Sequence, residues 1–216
     1  MALLTFDISV SVDGFVAGPD PSLEHPLGIG GEQLHDWAIA SKAWRESHGR
    51  EGGEENADSE ILARTMKQAG ATIMGRRMFS GGEGPWESDP NANAWWGDEP
   101  PFHHPVFILT HHAREPVTKE GGTTFTFVTD RIESALDQAR AAAGEKNVAL
   151  GGGASVGQQY LAAGLLDELR IHVAPVLLGG GTRLFEDHAG SDVPQLEKVE
   201  VVESPAVTHL TYRVVR

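Results

Sequence analysis

The chain has 216 residues, of which 40% are hydrophobic, 22% are charged and none is cysteine, and its formal net charge is −14. This composition allows one well-packed domain and excludes disulfides and cysteine-based metal sites. The negative charge disfavours nucleic acid as a partner, because phosphate backbones would be repelled. An acid stands as early as Asp7 and no apolar run approaches ~20 residues, so we expect a cytoplasmic protein with neither a signal peptide nor a membrane partner.

Strands and helices alternate in the first half of the chain. Apolar, β-rich runs predict the strands, and the helical spacing of apolar side chains predicts the helices. Asp13-Gly14 is typical of a turn after the first strand, and Ser59 suits the N-cap of the second helix. The predicted elements are a strand over 3–12, a helix over 32–47, a helix over 59–69 and a strand over 71–74.

An irregular insertion is expected near residues 80–104. This stretch is rich in glycine, proline and tryptophan, and it includes Trp86, Trp95 and Trp96. It is too long for a simple connection between two elements. We therefore interpret it as a functional loop or a lid.

The second half continues the alternation and closes on two successive strands. The predicted elements are strands over 106–110, 125–129, 148–150 and 169–176, helices over 132–143 and 158–163, and a final strand pair over 196–203 and 207–215. Asp130 is the expected cap of the helix over 132–143. Alternating strands and helices that end in a hairpin predict an α/β sandwich with a mixed sheet, in a single domain over 1–216.

A glycine triplet is the most informative local pattern in the sequence. The apolar run 147–150 leads into Gly151, Gly152 and Gly153, which are followed by Ala154, Ser155 and Val156. Strand, tight turn and helix start in this order favour an anion site, because glycine lets backbone amides approach a phosphate and a helix N-terminus is partially positive. Neither the G-x-G-x-x-G nor the Walker pattern fits, so a structural turn without a ligand stays open.

Two other strand ends carry residues that suit an anionic ligand. Gly75, Arg76 and Arg77 follow a predicted strand, and guanidinium groups offer forked donors to a phosphate. Thr110 and His111 follow another. Because ligands of open α/β sheets gather at the carboxyl ends of strands, these ends together with the glycine triplet predict a nucleotide site. Solvated surface residues are the alternative interpretation of each.

Two carboxylates are the candidate catalytic residues. Asp13 is the first choice for a substrate-side polar residue, because it follows the first strand, and Asp36 is the second. Ordinary solvated carboxylates in a turn and a helix are the alternative for both. The 10 histidines lack the i, i+4 spacing of a zinc site and no H-E-x-x-H occurs, so no metal is expected.

Five short motifs lie at 11–17, 72–76, 150–153, 167–171 and 174–181. Together and in this order they give the chain a resemblance to the dihydrofolate-reductase-like superfamily. Within it, the chain most resembles the reductase domain of the bacterial bifunctional riboflavin-biosynthesis deaminase/reductase, in a stand-alone form. The resemblance implies a three-layer α/β/α sandwich whose central mixed, mostly parallel sheet ends in an antiparallel hairpin.

The resemblance also implies NADPH as the cofactor and a small molecule as the substrate. The implied cofactor-binding residues are Ser9, Val16 and Ala17 beside the nicotinamide, Gly75, Arg76 and Arg77 toward the adenosine 2′-phosphate, Thr110 and His111 beside the adenosine, and Gly151, Gly152, Gly153, Ala154, Ser155 and Val156 at the pyrophosphate.

The nearest implied activity is 5-amino-6-(5-phosphoribosylamino)uracil reductase, in which a hydride reaches the ribose C1 of the substrate. A homodimer is expected by the same analogy. Two alternatives stay open: a dihydrofolate or other pteridine reductase, and a non-catalytic nucleotide-binding dimer that kept the fold. Alignment through Trp37 puts Leu34 where dihydrofolate reductase has its acid, which weakens the first of these.

Overall fold

The computed structural model describes residues 2–82, 84–185 and 194–215. The chain divides into two compact units that alternate along the sequence. The first unit consists of Met1–Leu4 and Gln68–Gly152, and the second of Thr5–Lys67 and Gly153–Arg216. The single domain expected over 1–216 therefore stays a prediction.

Strands and short helices follow one another along the described residues. The strands are β1 (Leu4–Ser11), β2 (Phe15–Ala17), β3 (Ala69–Gly75), β4 (Pro105–Leu109), β5 (Val117–Thr118), β6 (Thr124–Val128), β7 (Asn147–Gly151), β8 (Glu168–Ala174), β9 (Thr182–Arg183), β10 (Gln195–Glu203) and β11 (Thr208–Val215). The α-helices are α1 (Asp36–Ala40), α2 (Lys42–Ser47), α3 (Ala57–Gln68), α4 (Arg76–Ser80), α5 (Ile132–Ala143) and α6 (Ala154–Ala162).

The first unit is built on mostly parallel strands. Its order is β7-β3-β4-β6-β5, and only the short β5 is antiparallel to its neighbour. The strands β3 and β4 are almost continuously apolar and buried, as parallel strands covered on both faces usually are. Helix α5 contacts β3, β4 and β7, and its buried side chains lie on one helical face: Ala135, Leu136, Ala139 and Ala143.

The second unit combines parallel and antiparallel pairing. Its order is β10-β11-β8-β1, in which β1 and β8 are parallel, whereas β11 is antiparallel to both β8 and β10. Strands β2 and β9 form a separate antiparallel pair. A buried apolar cluster in this unit contains Leu34, Trp37, Ala38, Ala174 and Val207. The predicted α/β fold, with a mostly parallel mixed sheet and a closing antiparallel hairpin, is confirmed.

The helix α6 packs tightly against β1. Gly157 is buried, and a Cβ at this position would overlap the ring of Phe6. Glycine inside a helix costs about 1 kcal/mol relative to alanine, so helix propensity does not explain it. The close approach to Phe6 does. Helix α6 begins at Ala154, earlier than the predicted start at residue 158.

The expected helix over 32–47 is interrupted. A 3-10 helix over Gly31–His35 leads into α1, and the chain then becomes extended at Ser41. The Ser41 hydroxyl accepts the Trp44 N–H at 3.2 Å and so caps α2. A good N-cap residue in the middle of a helical pattern thus started a new helix.

Two predicted helix caps were wrong. Helix α3 begins at Ala57, and the Oδ1 of Asn56 accepts the Ser59 N–H at 3.2 Å. The Ser59 hydroxyl instead accepts the N–H of Ala43 at 3.0 Å, a contact between elements distant in sequence. Helix α5 has Arg131 rather than Asp130 at its N-cap position.

The insertion near 80–104 is described except for Glu83, which lies outside the described residues. Its described part contains a 3-10 turn over Trp86–Ser88 and is otherwise mostly made of turns and bends. Its aromatic side chains are not a free surface. Trp86, Trp96 and Phe102 pack against the buried cluster that contains Met74 and Phe79.

Candidate functional site

Three of the predicted strand ends lie at one edge of the first unit. The strand β3 runs parallel to both β7 and β4, so the three strands end on the same side. In the register, Gly75 is aligned with Leu109 and Met74 with Gly151. The structure therefore brings together Gly75, Thr110 and Gly151 at the carboxyl ends of the strands, where ligands of open α/β sheets bind.

Residues 151–156, which we call the glycine corner, connect β7 to α6. Gly152 has a φ of +114°, which residues with a Cβ rarely adopt. Gly153 is the N-cap of α6, with a φ of −78° and a ψ of 176°. As a glycine it offers no side-chain oxygen to the first amides of the helix. The N–H groups of Ala154, Ser155 and Val156 can therefore donate hydrogen bonds to an anion.

The space around the glycine corner suits a phosphate group. Gly153 is exposed, and a Cβ there would meet none of the described atoms within 4 Å. The Sδ of Met78 would lie 3.4 Å from a Cβ at Gly151 or Gly152, so that side is closed. Backbone donors at a helix start, beside an exposed glycine, are the chemistry that a pyrophosphate requires.

Arg76 is buried, with a partner inside the first unit. Its Nη2 lies 2.6 Å from Oδ2 of Asp89, and its Nη1 donates to Oγ of Ser80. The guanidinium carbon lies 3.4 Å from the ring centroid of Trp86. Burial lowers the pKa of Arg76, and the ion pair with Asp89 only partly offsets this. The charge of this guanidinium is thus balanced by a carboxylate.

Burial by itself would raise the pKa of Asp89. Hydrogen bonds from the Ser80 hydroxyl and the Asn91 amide, together with the nearby positive charge of Arg76, outweigh this effect, so the pKa of Asp89 is below its usual value. The carboxylate therefore stays ionised at neutral pH. The partners of this pair thus keep opposite charges inside the protein.

The remaining predicted residues of the first unit differ in exposure. Arg77 is exposed on α4, directly after Arg76. Thr110 is buried, and its hydroxyl accepts the His112 N–H at 3.1 Å. His111 is exposed. Of these side chains, Arg77 and His111 are accessible to a ligand from solvent.

The predicted nicotinamide-side residues all lie in the second unit. Ser9 is buried on β1, and its hydroxyl accepts the indole N–H of Trp37 at 3.0 Å. Val16 is buried on β2, and Ala17 pairs with Thr182 of β9. Their predicted contact with a nicotinamide stays a prediction.

Asp13 links two loops of the second unit. Its Oδ1 accepts from the Ser11 hydroxyl at 2.6 Å and from the Leu178 N–H at 3.2 Å, and its Oδ2 accepts from the Gly179 N–H at 2.7 Å. These hydrogen bonds, that of Ser11 first, lower the pKa of Asp13 to about 2. At neutral pH the carboxylate can accept hydrogen bonds but cannot donate a proton.

The second candidate acid, Asp36, has different surroundings. It is exposed at the first position of the short helix α1, next to the buried Trp37. Its predicted role stays a prediction.

A buried polar cluster in the second unit was not predicted from the sequence. His209 Nε2 lies 2.9 Å from Asp58 Oδ1, and its Nδ1 lies 2.8 Å from Nδ1 of His172. The ring of Trp37 packs against both histidines, with centroids 4.7 Å from His172 and 5.2 Å from His209. Burial, and then His172, lower the pKa of His209, although Asp58 opposes this. The signal was the position of both histidines among apolar residues on strands.

The part of the chain that the structure describes lacks two further classes of site. It holds no group of three or more histidine, aspartate or glutamate side chains arranged to bind a metal ion. Among the same residues, no helix has the length and apolar character needed to cross a bilayer.

Comparison with solved structures shows the fold. A proposed riboflavin biosynthesis protein from Shewanella sp. PV-4 matches over 100% of both chains, with a TM-score of 0.64 and 22% identity. The deaminase/5-amino-6-(5-phosphoribosylamino)uracil reductase of Thermotoga maritima matches over 99% of this chain and 56% of its own, with a TM-score of 0.55 and 13% identity. Dihydrofolate reductase from Enterococcus faecalis matches over 98% of this chain and 96% of its own, with a TM-score of 0.50 and 16% identity.

These likenesses share a dihydrofolate-reductase-like fold, as the sequence motifs predicted. No curated protein matches the sequence. The family model of the RibD C-terminal domain, however, matches residues 2–210. The match covers nearly the whole chain, so the chain belongs to the RibD C-terminal domain family.

Proposed function

We propose that the protein is an NADPH-dependent reductase of a small heterocyclic substrate, nearest in activity to 5-amino-6-(5-phosphoribosylamino)uracil reductase. Membership of the RibD C-terminal domain family supports a reductase function of the riboflavin-pathway type. The reductase from Thermotoga maritima, which has the same fold, carries this activity in its name. A homodimer is part of the same proposal.

The glycine corner is the observation that carries the proposal. Its backbone N–H groups would bind the pyrophosphate of NADPH, because Gly152 and Gly153 leave the start of α6 open to an anion. Thr110 and His111 would lie beside the adenosine, and Ser9, Val16 and Ala17 beside the nicotinamide. The cofactor supplies the hydride, and the chain supplies binding and orientation.

Asp13 would act on the substrate side as a hydrogen-bond acceptor. Its lowered pKa, about 2, keeps it ionised at neutral pH, so it would not be the proton donor of the reaction. Asp36, which is exposed, is the second candidate for contact with the substrate.

The glycine corner can be tested with two substitutions at one position. Gly153 has a backbone conformation that residues with a Cβ adopt, and a side chain there has room. Both Gly153→Asp and Gly153→Asn should therefore fold, and both should cap α6. Only the aspartate adds a negative charge where the pyrophosphate would bind.

We expect NADPH to raise the melting temperature of the wild type, since ligand at 100 times its Kd stabilises a protein by about 2.7 kcal/mol. Gly153→Asp should raise the Kd for NADPH at least roughly tenfold, which corresponds to about 1.4 kcal/mol of binding free energy. Gly153→Asn should raise the Kd less. Equal NADPH affinity of the aspartate and asparagine variants would show that no phosphate binds at this corner.

A further inference from the structure

The ion pair between Arg76 and Asp89 bears on which nicotinamide cofactor the protein prefers. Both arginines after β3 were expected at the adenosine 2′-phosphate, the group that distinguishes NADPH from NADH. We propose that Asp89 determines cofactor selectivity by withholding Arg76 from this phosphate, so that Arg77 alone provides the guanidinium contact. This inference rests on the proposed function.

Both side chains of the ion pair are buried. The side chains of Arg76 and Asp89 are only 7% and 2% exposed, and their closest charged atoms are 2.6 Å apart. A phosphate that approached Arg76 would have to replace a desolvated carboxylate at contact distance. Removing one member of such a pair leaves an uncompensated buried charge, so the exchange is unfavourable.

Backbone and hydroxyl groups hold Asp89 in place. Its Oδ2 accepts from the Ser80 hydroxyl at 2.7 Å, and its Oδ1 accepts from the Asn91 N–H at 2.8 Å. Gly82 makes room for the carboxylate, since a Cβ there would lie 2.6 Å from Asp89 Oδ2. Asp89 is thus fixed by more contacts than its ion pair alone.

Stacking on an aromatic ring also holds the Arg76 guanidinium in place. It stacks on the ring of Trp86, whose indole N–H donates to the His112 carbonyl at 2.9 Å. The same ring packs against Phe127, with centroids 4.9 Å apart. A stacked guanidinium beside a carboxylate is a stable arrangement for arginine, and it orients Arg76 toward the insertion.

Arg114 does not take the place of Arg76 at the strand end. Its Nη2 donates to Oδ1 of Asn93 at 2.6 Å, and its Nη1 donates to the carbonyl of Ala92. Its guanidinium also lies 5.1 Å from the ring centroid of Trp86. Arg77 lies in the first turn after β3, and its side chain is exposed.

The test compares the Kd for NADPH and for NADH, measured by the fluorescence of the reduced nicotinamide. Four proteins are needed: the wild type, Asp89→Asn, Arg77→Gln, and a double variant with Arg76→Met and Asp89→Leu. The double variant replaces the buried pair by apolar side chains, a change that proteins often tolerate. Melting temperatures establish that each variant is folded.

Asp89→Asn removes the carboxylate that neutralises Arg76, so we expect NADPH to bind roughly fivefold to tenfold more tightly with little change for NADH. Arg77→Gln should bring the two Kd values close together. The double variant should keep the wild-type ratio, because Arg76 contributes nothing to phosphate binding in the wild type.

Loss of the NADPH preference in the double variant would overturn the proposal, because Arg76 would then be the phosphate ligand. So would an unchanged Kd ratio in a folded Asp89→Asn variant. If Asp89→Asn does not fold, the Kd ratios of the double variant and of Arg77→Gln still test the proposal. A wild type that binds neither cofactor would overturn the proposed function together with this inference, whereas binding without the expected ratios would overturn this inference alone.

Discussion

At the scale of single residues, Asp13 holds two loops together through its hydrogen bonds. Its carboxylate accepts from Ser11, Leu178 and Gly179, so it joins the turn after β1 to the loop after β8. Because the folded pKa is about 2 and the ordinary value is 3.8, folding favours the ionised form. The stabilisation is therefore complete above pH 3.8 and is lost as the pH falls toward 2.

Replacing Asp13 should expose this linkage. Asp13→Asn keeps the size of the side chain but removes its charge, so the melting temperature at about pH 6 should fall. The difference from the wild type should shrink as the pH is lowered toward about 3, because the wild type then loses its own advantage. Asp137→Asn, at an exposed position on α5, is the control. A difference that does not depend on pH would contradict the assignment.

His104 predicts a pH dependence in a different range. Burial, and then Lys146 and His103, lower its pKa from 6.5 to about 4, and its Nε2 lies 2.8 Å from the Thr72 hydroxyl. The unfolded chain binds a proton near pH 6.5 and the folded protein does not, so stability should decline as the pH falls from about 6.5 to about 4. The variant His104→Asn should flatten this decline in urea unfolding, whereas the exposed His25→Asn should not.

Some residue-level features could be predicted and others could not. The tight turn at 151–153 could be predicted from its glycines, because Gly152 has a positive φ that residues with a Cβ rarely adopt. The partner of Arg76 could not be predicted, because Asp89 lies in an irregular segment with no periodicity, well beyond the end of α4. The contact between His172 and His209 could not be predicted either, because it depends on the pairing of β8 with β11, which are distant in sequence.

At the scale of elements, strands were predicted better than helix starts. Runs of apolar residues identify β3 and β4, which are largely buried, and a shorter apolar run identifies β7. Helix starts depend on which side chain caps which amide, and tertiary contacts changed this choice. The Ser59 hydroxyl accepts the Ala43 N–H instead of capping α3, and α6 begins at Ala154 rather than at residue 158.

The packing of α6 gives a prediction at this scale. Gly157→Ala should destabilise the protein by about 1–3 kcal/mol, because the new methyl group would overlap the Phe6 ring. Helix propensity alone would predict a gain of about 1 kcal/mol. The control is Ser155→Ala, an exposed position in the first turn of the same helix. A stabilised Gly157→Ala variant in urea unfolding would show that α6 and β1 are not in close contact.

At the scale of the whole molecule, ordered motifs were more informative than any one of them. The glycine triplet fitted neither of the two common phosphate-binding patterns, yet its place after the motifs at 11–17 and 72–76 indicated the fold. The family match over 2–210 agrees with that order. Composition excluded classes of function but did not identify a substrate, because the net charge of −14 requires only that an anion be bound by local groups.

Oxidation of NADPH, followed by its absorbance, is the most direct test of the proposed function. The purified protein would be mixed with NADPH and either 5-amino-6-(5-phosphoribosylamino)uracil or dihydrofolate. We expect NADPH to be consumed with the pyrimidine substrate, to a clearly smaller extent with dihydrofolate, and not without substrate. Tight binding of NADPH with no oxidation by either compound would contradict the proposed activity and favour a nucleotide-binding protein that kept the fold.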